Sequence, residues 1–223
     1  GSGEAGAGAG LIGKAGAGAA GGPARRIVLV AGQVEDDAAV RLGCGAVRTN
    51  AALLAAARAA EPGATLVYKP HPDVEAGLRP GALSPAEAAP ADAVLAGMGA
   101  AAALAQADAV WTMTSLLGFE ALLRGRPVTC LGAPFYAGWG LTRDLGPVPA
   151  RRRAVRGVTL EGLVHAALVA YPRYRDPLTG LPCPVEVAAE RLAAPGAAPP
   201  PGVPLRLLAK AQGVLAAQSR LWR

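Results

Sequence analysis

The chain has few aromatic residues and few cysteines, and each shortage closes a class of function. Aromatic side chains make up 4% of its 223 residues, with no RNP-like string and no Cys/His finger spacing, so nucleic-acid binding is not expected. The three cysteines, Cys44, Cys130 and Cys183, are far apart, odd in number and never arranged as CxxC. That pattern gives neither a disulfide framework nor a zinc site, and a reducing cytoplasm is the expected setting. No uninterrupted apolar run is long enough to span a bilayer, and residues 1–24 lack the basic region and compact apolar core of a signal peptide. Any membrane contact is therefore expected to be peripheral.

Apolar residues are plentiful at 52%, although alanine and glycine supply much of that figure. The useful core must come from clusters of Val, Leu and Ile, because methyl groups bury little area each. Lys and Arg outnumber Asp and Glu by 22 to 16, a modestly basic balance that suits a phosphate-bearing ligand or an anionic membrane face. The only basic run is Arg151, Arg152, Arg153 and Arg156, which reads as a solvated loop, with anionic lipid or an acceptor as the functional alternative.

Along the chain, residues 1–24 form a Gly/Ala tract without periodicity, expected to be a disordered linker. RIVLVAG (26–32) reads as a buried strand, residues 47–63 as a helix stopped by Pro-Gly, and ATLVYKP (64–70) as a second strand. Residues 73–91 read as a proline-broken loop, followed by a short strand and a small helix. DAVWTMT, SLLGFEALLRG and RPVTCLG (108–132) spell strand, helix, strand, with Thr114 or Ser115 as cap and Gly125 at the helix end. Residues 133–157 read as a long loop, and 159–174 as an amphipathic helix capped by Thr159. Strands alternating with helices predict an α/β, Rossmann-like parallel sheet with flanking helices over 25–193. A Pro-rich linker (194–204) and a basic amphipathic helix (205–223) follow.

In such a sheet, ligands lie beyond the carboxyl ends of the strands, where three segments are expected to meet: GQVEDDA, KPHPD and the Thr-Ser turn. His71 is held between two prolines directly after Lys69, and both offer positive charge or donors. Thr114, Ser115 and the free N–H groups of the helix start suit a phosphate. Glu120, further along that helix, is positioned to accept from a ribose diol, and Glu35, Asp36 and Asp37 put carboxylates beside the same pocket. Each piece also has an ordinary reading: Ser115 as a plain cap, Lys69 as a strand end, Glu120 as an exposed helix residue, Glu-Asp-Asp as a solvated turn. His165 reads as a surface residue. Function rests on their convergence.

GQVEDDA, YKPHPDV, TMTSLLGFEALLRGRPVTCLGAPFYAGWGLT and YPRYRDPLTGLPC, in this order and at these spacings, resemble the capsule polysaccharide synthesis family of KpsC-type β-Kdo glycosyltransferases. The resemblance runs from about residue 27 to about residue 193. It implies a retaining transferase that moves Kdo from CMP-Kdo to a phosphatidylglycerol-type glycolipid acceptor, at the cytoplasmic face of the inner membrane, alongside other capsule proteins. CMP-Kdo is then a donor substrate, and neither a cofactor nor a metal is implied. The family fold is GT-B, two Rossmann-like domains facing across a cleft, of which this chain corresponds to the C-terminal, donor-binding half. The acceptor-side half and its general acid/base are expected to lie outside it.

Carried across residue by residue, the family's HP motif falls on His71 and Pro72 and its Ser/Thr turn on Thr114 and Ser115, all toward the CMP phosphate. The carboxylate near the ribose falls on Glu120, and the nucleophile on Asp37 in preference to Asp36. Lys69, Arg124 and Arg143 are candidate partners for the Kdo carboxylate. Gln33, Glu35, Asp36, Tyr136 and Trp139 are candidates for the donor pocket, the last two in a loop that reads equally as rigid packing. The alternatives are another GT-B-like enzyme of nucleotide sugars, a UDP-sugar epimerase or transferase, and a non-catalytic capsule-assembly module.

Overall fold

The structure, a computed structural model, describes residues 25–194. The Gly/Ala tract, the Pro-rich stretch from 195 and the expected terminal helix lie outside the described residues. The described chain divides between Val158 and Thr159 into two compact units, inside the span expected as one domain.

The first unit is built on a six-stranded parallel sheet. Its central strand, β1 (Ile27–Ala31), is a run of branched and apolar residues with four of its five buried, the pattern of a strand covered on both faces. It pairs on one side with β2 (Thr65–Lys69) and on the other with β4 (Ala109–Thr112). The strands β3 (Ala93–Val94), β5 (Val128–Cys130) and β6 (Arg143–Asp144) complete the order β3-β2-β1-β4-β5-β6, every pair parallel. From β1 the chain winds outward to β2 and β3, then crosses back to β4. The gap between the carboxyl ends of β1 and β4 is thus the topological switch point, where open α/β sheets take their ligands.

Helices cover the sheet. Thr49 caps α2 (Asn50–Ala60), accepting from the Ala52 N–H at 3.2 Å, and Leu53 and Leu54 are fully buried against Val28, Val30, Leu66, Trp111 and Met113. Each such aliphatic side chain contributes roughly 1.5–3 kcal/mol. Ser115 caps α6 (Leu116–Leu123), and the chain leaves that helix through Gly125 at φ +67°, a left-handed conformation that glycine adopts without strain.

Several short elements occupy stretches expected as loops. α1 (Ala38–Gly43) follows β1, and two single turns, α3 (Pro72–Glu75) and α4 (Pro85–Ala88), interrupt 73–91, each opened by a proline at its first turn. The small helix α5 (Ala100–Gln106) falls where it was expected. Residues 133–157 contain β6 and α7 (Ala150–Arg153).

The second unit begins with Thr159, whose side chain caps α8 (Leu160–Val164). That helix continues as a π-helix over His165–Ala170, and His165 is exposed. A hairpin of β7 (Tyr174–Arg175) with β8 (Pro182–Cys183) and the helix α9 (Val185–Ala193) complete it.

Candidate functional site

Two concavities adjoin the carboxyl rim of the sheet near the switch point, and they share the wall formed by Leu116. The first, about 240 Å³, is lined by Lys69, His71, Pro72, Ser115 and Glu120, with Gly32 and the Met98–Ala100 turn closing it. Five of the residues expected at a nucleotide site, from two separate segments, therefore share one cavity, with Gly32 of the third segment in its wall. The approach is close: a Cβ on Gly32 would stand 2.5 Å from the Tyr68 hydroxyl oxygen and 3.0 Å from the Lys69 carbonyl oxygen.

Lys69 ends β2 and is only 5% exposed. Its ammonium donates to the Pro70 carbonyl at 3.2 Å, and among the described residues no carboxylate pairs with it. An ammonium so placed retains most of its capacity to attract an anion. His71 stands outside the first turn of α3, and its Nδ1 accepts from the Asp73 N–H at 3.2 Å. In the neutral imidazole that bond puts the proton on Nε2, a donor not used by the helix cap. Pro72 fixes the turn that makes this possible.

On the other wall, the Ser115 Oγ accepts from the Leu117 N–H at 3.2 Å and the Ser115 N–H donates to the Thr112 Oγ1 at 3.1 Å, so Ser115 is first a cap. The Leu116 N–H that follows has no intrahelical acceptor, and the helix dipole adds partial positive charge there. Glu120 lies one turn on, its carboxylate 3.6 Å from the Arg124 guanidinium.

The second concavity, about 500 Å³, runs between α1 and the 133–136 loop and includes Ala38, Ala39, Thr114, Leu116 and Phe135. Asp37 stands at its α1 end as the helix cap, one oxygen accepting from the Ala39 N–H at 2.7 Å and the other without a hydrogen bond among the described residues. Asp36 is engaged differently, bonded to Arg79 at 2.6 Å. Glu35 accepts from the Asn50 N–H at 2.7 Å.

The remaining candidates are placed differently. Gln33 is buried and spans the switch point: its amide nitrogen donates to the Thr114 Oγ1 at 2.9 Å and its oxygen accepts from the Thr114 N–H at 2.7 Å. It is a brace between β1 and β4, short of both concavities. Tyr136 is fully buried, stacked on Phe119, and donates its hydroxyl proton to the Ser115 carbonyl, holding the α6 cap from behind, and it also contributes to the wall of the second concavity. Burial raises its phenol well above the ordinary value. Trp139 faces a third cavity that shares no lining residue with the first. Arg143 stacks over Trp111 at 6.0 Å, leaving Lys69, of the three cations considered for a sugar carboxylate, as the one lining the first cavity.

Asn50 was not foreseen. Fully buried, it donates to the Gln33 and Gly81 carbonyls at 2.8 Å each and accepts from the Gln33 N–H at 2.9 Å, tying the acidic loop to the 76–84 segment. Among the described residues no group of three His, Cys, Asp or Glu side chains gathers to hold a metal ion, and no helix is long and apolar enough to cross a membrane.

An open, doubly wound parallel sheet with a cationic, helix-capped cavity at its switch point is the Rossmann-like fold of a GT-B half-domain. The chain belongs to the capsule polysaccharide biosynthesis protein family, whose sequence profile matches residues 16–174. It is 47% identical over 169 residues to the capsule polysaccharide modification protein LipA of Neisseria meningitidis serogroup A, covering 75% of this chain and 24% of LipA. It is 46% identical over 151 residues to the lipopolysaccharide-processing protein LpsZ of Rhizobium meliloti, covering 67% of this chain and 34% of LpsZ. Among solved structures, the Thermosulfurimonas dismutans KpsC beta Kdo 2,7 transferase superposes with a TM-score of 0.68 at 40% identity, over 77% of this chain and 55% of that one. The beta Kdo 2,4 transferase of the same organism's KpsC gives 0.67 at 33% identity, over 85% and 62%. The chain thus spans a quarter to a third of the length of these curated relatives.

Proposed function

We propose that this chain carries the donor site of a retaining β-Kdo glycosyltransferase that takes Kdo from CMP-Kdo and passes it to a lipid-linked acceptor in capsule assembly. The observation that carries the reading is the buried, carboxylate-free ammonium of Lys69 beside His71 and the α6 N-terminus. A cavity with that charge and those donors suits the phosphate of a nucleotide, esterified in the donor and freed as a monoester in the product. At about 240 Å³ the first cavity is small for a whole nucleotide sugar, so the sugar is expected to extend past Leu116 into the groove flanked by Asp37. The relatives solved as Kdo transferases support the choice of sugar.

In this reading the Asp37 carboxylate attacks the anomeric carbon, the bond from that carbon to the phosphate oxygen breaks, and its electron pair leaves with CMP. Negative charge on the departing phosphate grows as the bond lengthens. Lys69, the His71 Nε2–H and the Leu116 N–H would stabilise that transition state more than the ground state. The acceptor hydroxyl then attacks the anomeric carbon, giving up its proton to the general base expected in the acceptor-side half, and the Asp37 carboxylate leaves with the electron pair of the ester bond, restoring the original configuration. Glu120 would accept hydrogen bonds from the ribose diol. Work at the cytoplasmic face of the inner membrane, as a peripheral protein on a phosphatidylglycerol-type acceptor, is part of the same proposal.

Calorimetric titration of the chain with CMP, UMP and UDP tests the reading. CMP should bind best, and His71→Ala or Lys69→Met should each weaken it about tenfold or more. Equal CMP affinity in wild type and both variants, or a preference for UDP, would overturn it.

A further inference from the structure

A third cavity, about 510 Å³, flanks the edge strand β6, and no step of the proposed transfer uses it. Its wall includes Gly138, Trp139, Gly140, Asp144, Arg153 and Arg156. In volume it falls within the range of small-molecule sites, and it is twice the size of the Lys69 cavity. β6 lies two strands beyond β4, so the cavity stands at least about 10 Å along the sheet from the switch point.

The chemistry of its wall is unusual in two respects. First, the cationic side chains in and beside its wall outnumber its carboxylates, Arg153 and Arg156 standing against Asp144 alone. Arg153 and Arg156 are exposed and make no hydrogen bond or ion pair among the described residues, and Arg151 and Arg152 stand beside them. The carboxylate in the wall, Asp144, is already engaged, accepting from the Gly138 N–H at 2.9 Å and the Thr142 hydroxyl at 2.6 Å. Like charges crowded in this way repel, and a bound anion relieves that repulsion.

Second, the cavity contains a fixed aromatic ring. The Trp139 indole donates to the Phe135 carbonyl at 2.7 Å, and the Arg152 guanidinium lies 5.7 Å from its ring centre. Arg152 is itself anchored to the Pro134 and Ala137 carbonyls. The ring is flanked by Gly138 and Gly140, at φ +91° and +86°, and at Gly140 a side chain would meet open space. A rigid indole edged by bare backbone offers an apolar face to the C–H side of a pyranose, while the two free arginines offer forks for a carboxylate.

We propose that this cavity is a second saccharide subsite, selective for a pyranose bearing a carboxylate, and that it holds a sugar acid already on the acceptor while the first cavity holds the donor. The choice of a sugar acid rests on the Kdo-transfer reading. A concave wall around an indole fits one sugar ring better than the flat face of a bilayer.

The test is calorimetric titration of the whole chain with free Kdo, in the presence of saturating CMP so that the first cavity is filled. Kdo is expected to bind in the millimolar range. Arg153→Ala/Arg156→Ala, and conversion of the sugar to its methyl ester, are each expected to weaken it about tenfold or more. CMP affinity, measured separately, should stay within about twofold in the double variant, because none of these residues lines the first cavity. Both arginines are exposed, so the double variant retains its fold, and Trp139→Ala gives a second, charge-neutral probe. No saturation by Kdo, equal affinity for acid and ester, unchanged affinity in the double variant, or arginine-dependent binding only to phosphatidylglycerol vesicles would each overturn the proposal. Failure of CMP to bind would instead remove the donor-site reading.

Discussion

Lys69 illustrates how one residue can be unfavourable for the fold and useful for a site. An ammonium partly withdrawn from water loses some of its solvation, and a single hydrogen bond to the Pro70 carbonyl returns only part of it. Lys69→Met keeps the length and buries no charge. It should leave stability unchanged or raise it by about 1 kcal/mol while CMP binding falls, so the calorimetric affinity should drop with no drop in the urea midpoint. A purely structural lysine would lower both. Asp37 admits a similar separation, because asparagine caps a helix about as well as aspartate but cannot form a glycosyl ester. Asp37→Asn is expected to melt within about 0.5 kcal/mol of wild type and to lose any Kdo adduct detectable by intact mass after incubation with CMP-Kdo. Asp36→Asn should lose the Arg79 ion pair and retain the adduct.

At the scale of elements, what could be read in the sequence followed from local chemistry. The strand-helix-strand of residues 108–132 is legible because branched residues, a Ser cap, a left-handed Gly and a Pro-opened strand all agree. α1 was missed because six residues with one buried side chain, Val40, carry no apolar period. β6 was missed because two residues on a sheet edge have no alternation to detect. Asn50 was missed for another reason: its partners at Gln33 and Gly81 lie 17 and 31 residues away, and nothing beside it in the chain signals them. Trp139 and Tyr136 sit three residues apart in one motif, yet Trp139 lines the cavity beside β6 while Tyr136, on the other side of the turn through Gly138, is fully buried at the wall of the second concavity. Asn50→Ala leaves the Gln33 N–H and two carbonyls unpaired in a buried place. It should destabilise the first unit by about 3 kcal/mol, read as a lower urea midpoint, and loosen the 33–37 loop, read as faster amide exchange there.

At the scale of the whole molecule, the two units offer separate readouts, one tied to ligand and one to acid. In the second unit the Leu178 N–H, foremost among several causes, holds the Asp176 carboxyl below the ordinary aspartate value, with the Arg191 guanidinium contributing at 3.9 Å. A carboxyl depressed in the folded state adds stability above its unfolded pKa of about 3.9 and loses it as pH falls through the lower, folded value. Acidification below about pH 4 should therefore loosen the hairpin, and Asp176→Asn should lower melting of the second unit at neutral pH and flatten that acid limb, the two proteins converging as the wild-type carboxyl is protonated. CMP should act only on the first unit, whose sheet rim carries Lys69, His71 and Ser115. At a hundredfold excess over its dissociation constant, a ligand specific for the folded state adds about 2.7 kcal/mol, a rise of roughly 5–10 °C in the melting of a unit this size. Scanning calorimetry with and without CMP, followed by amide exchange to assign each transition, should find the shift in residues 25–158 and none in 159–194. His71→Ala should abolish it. A shift of equal size in both units, or one that survives His71→Ala, would mean that the nucleotide is held somewhere other than the switch point.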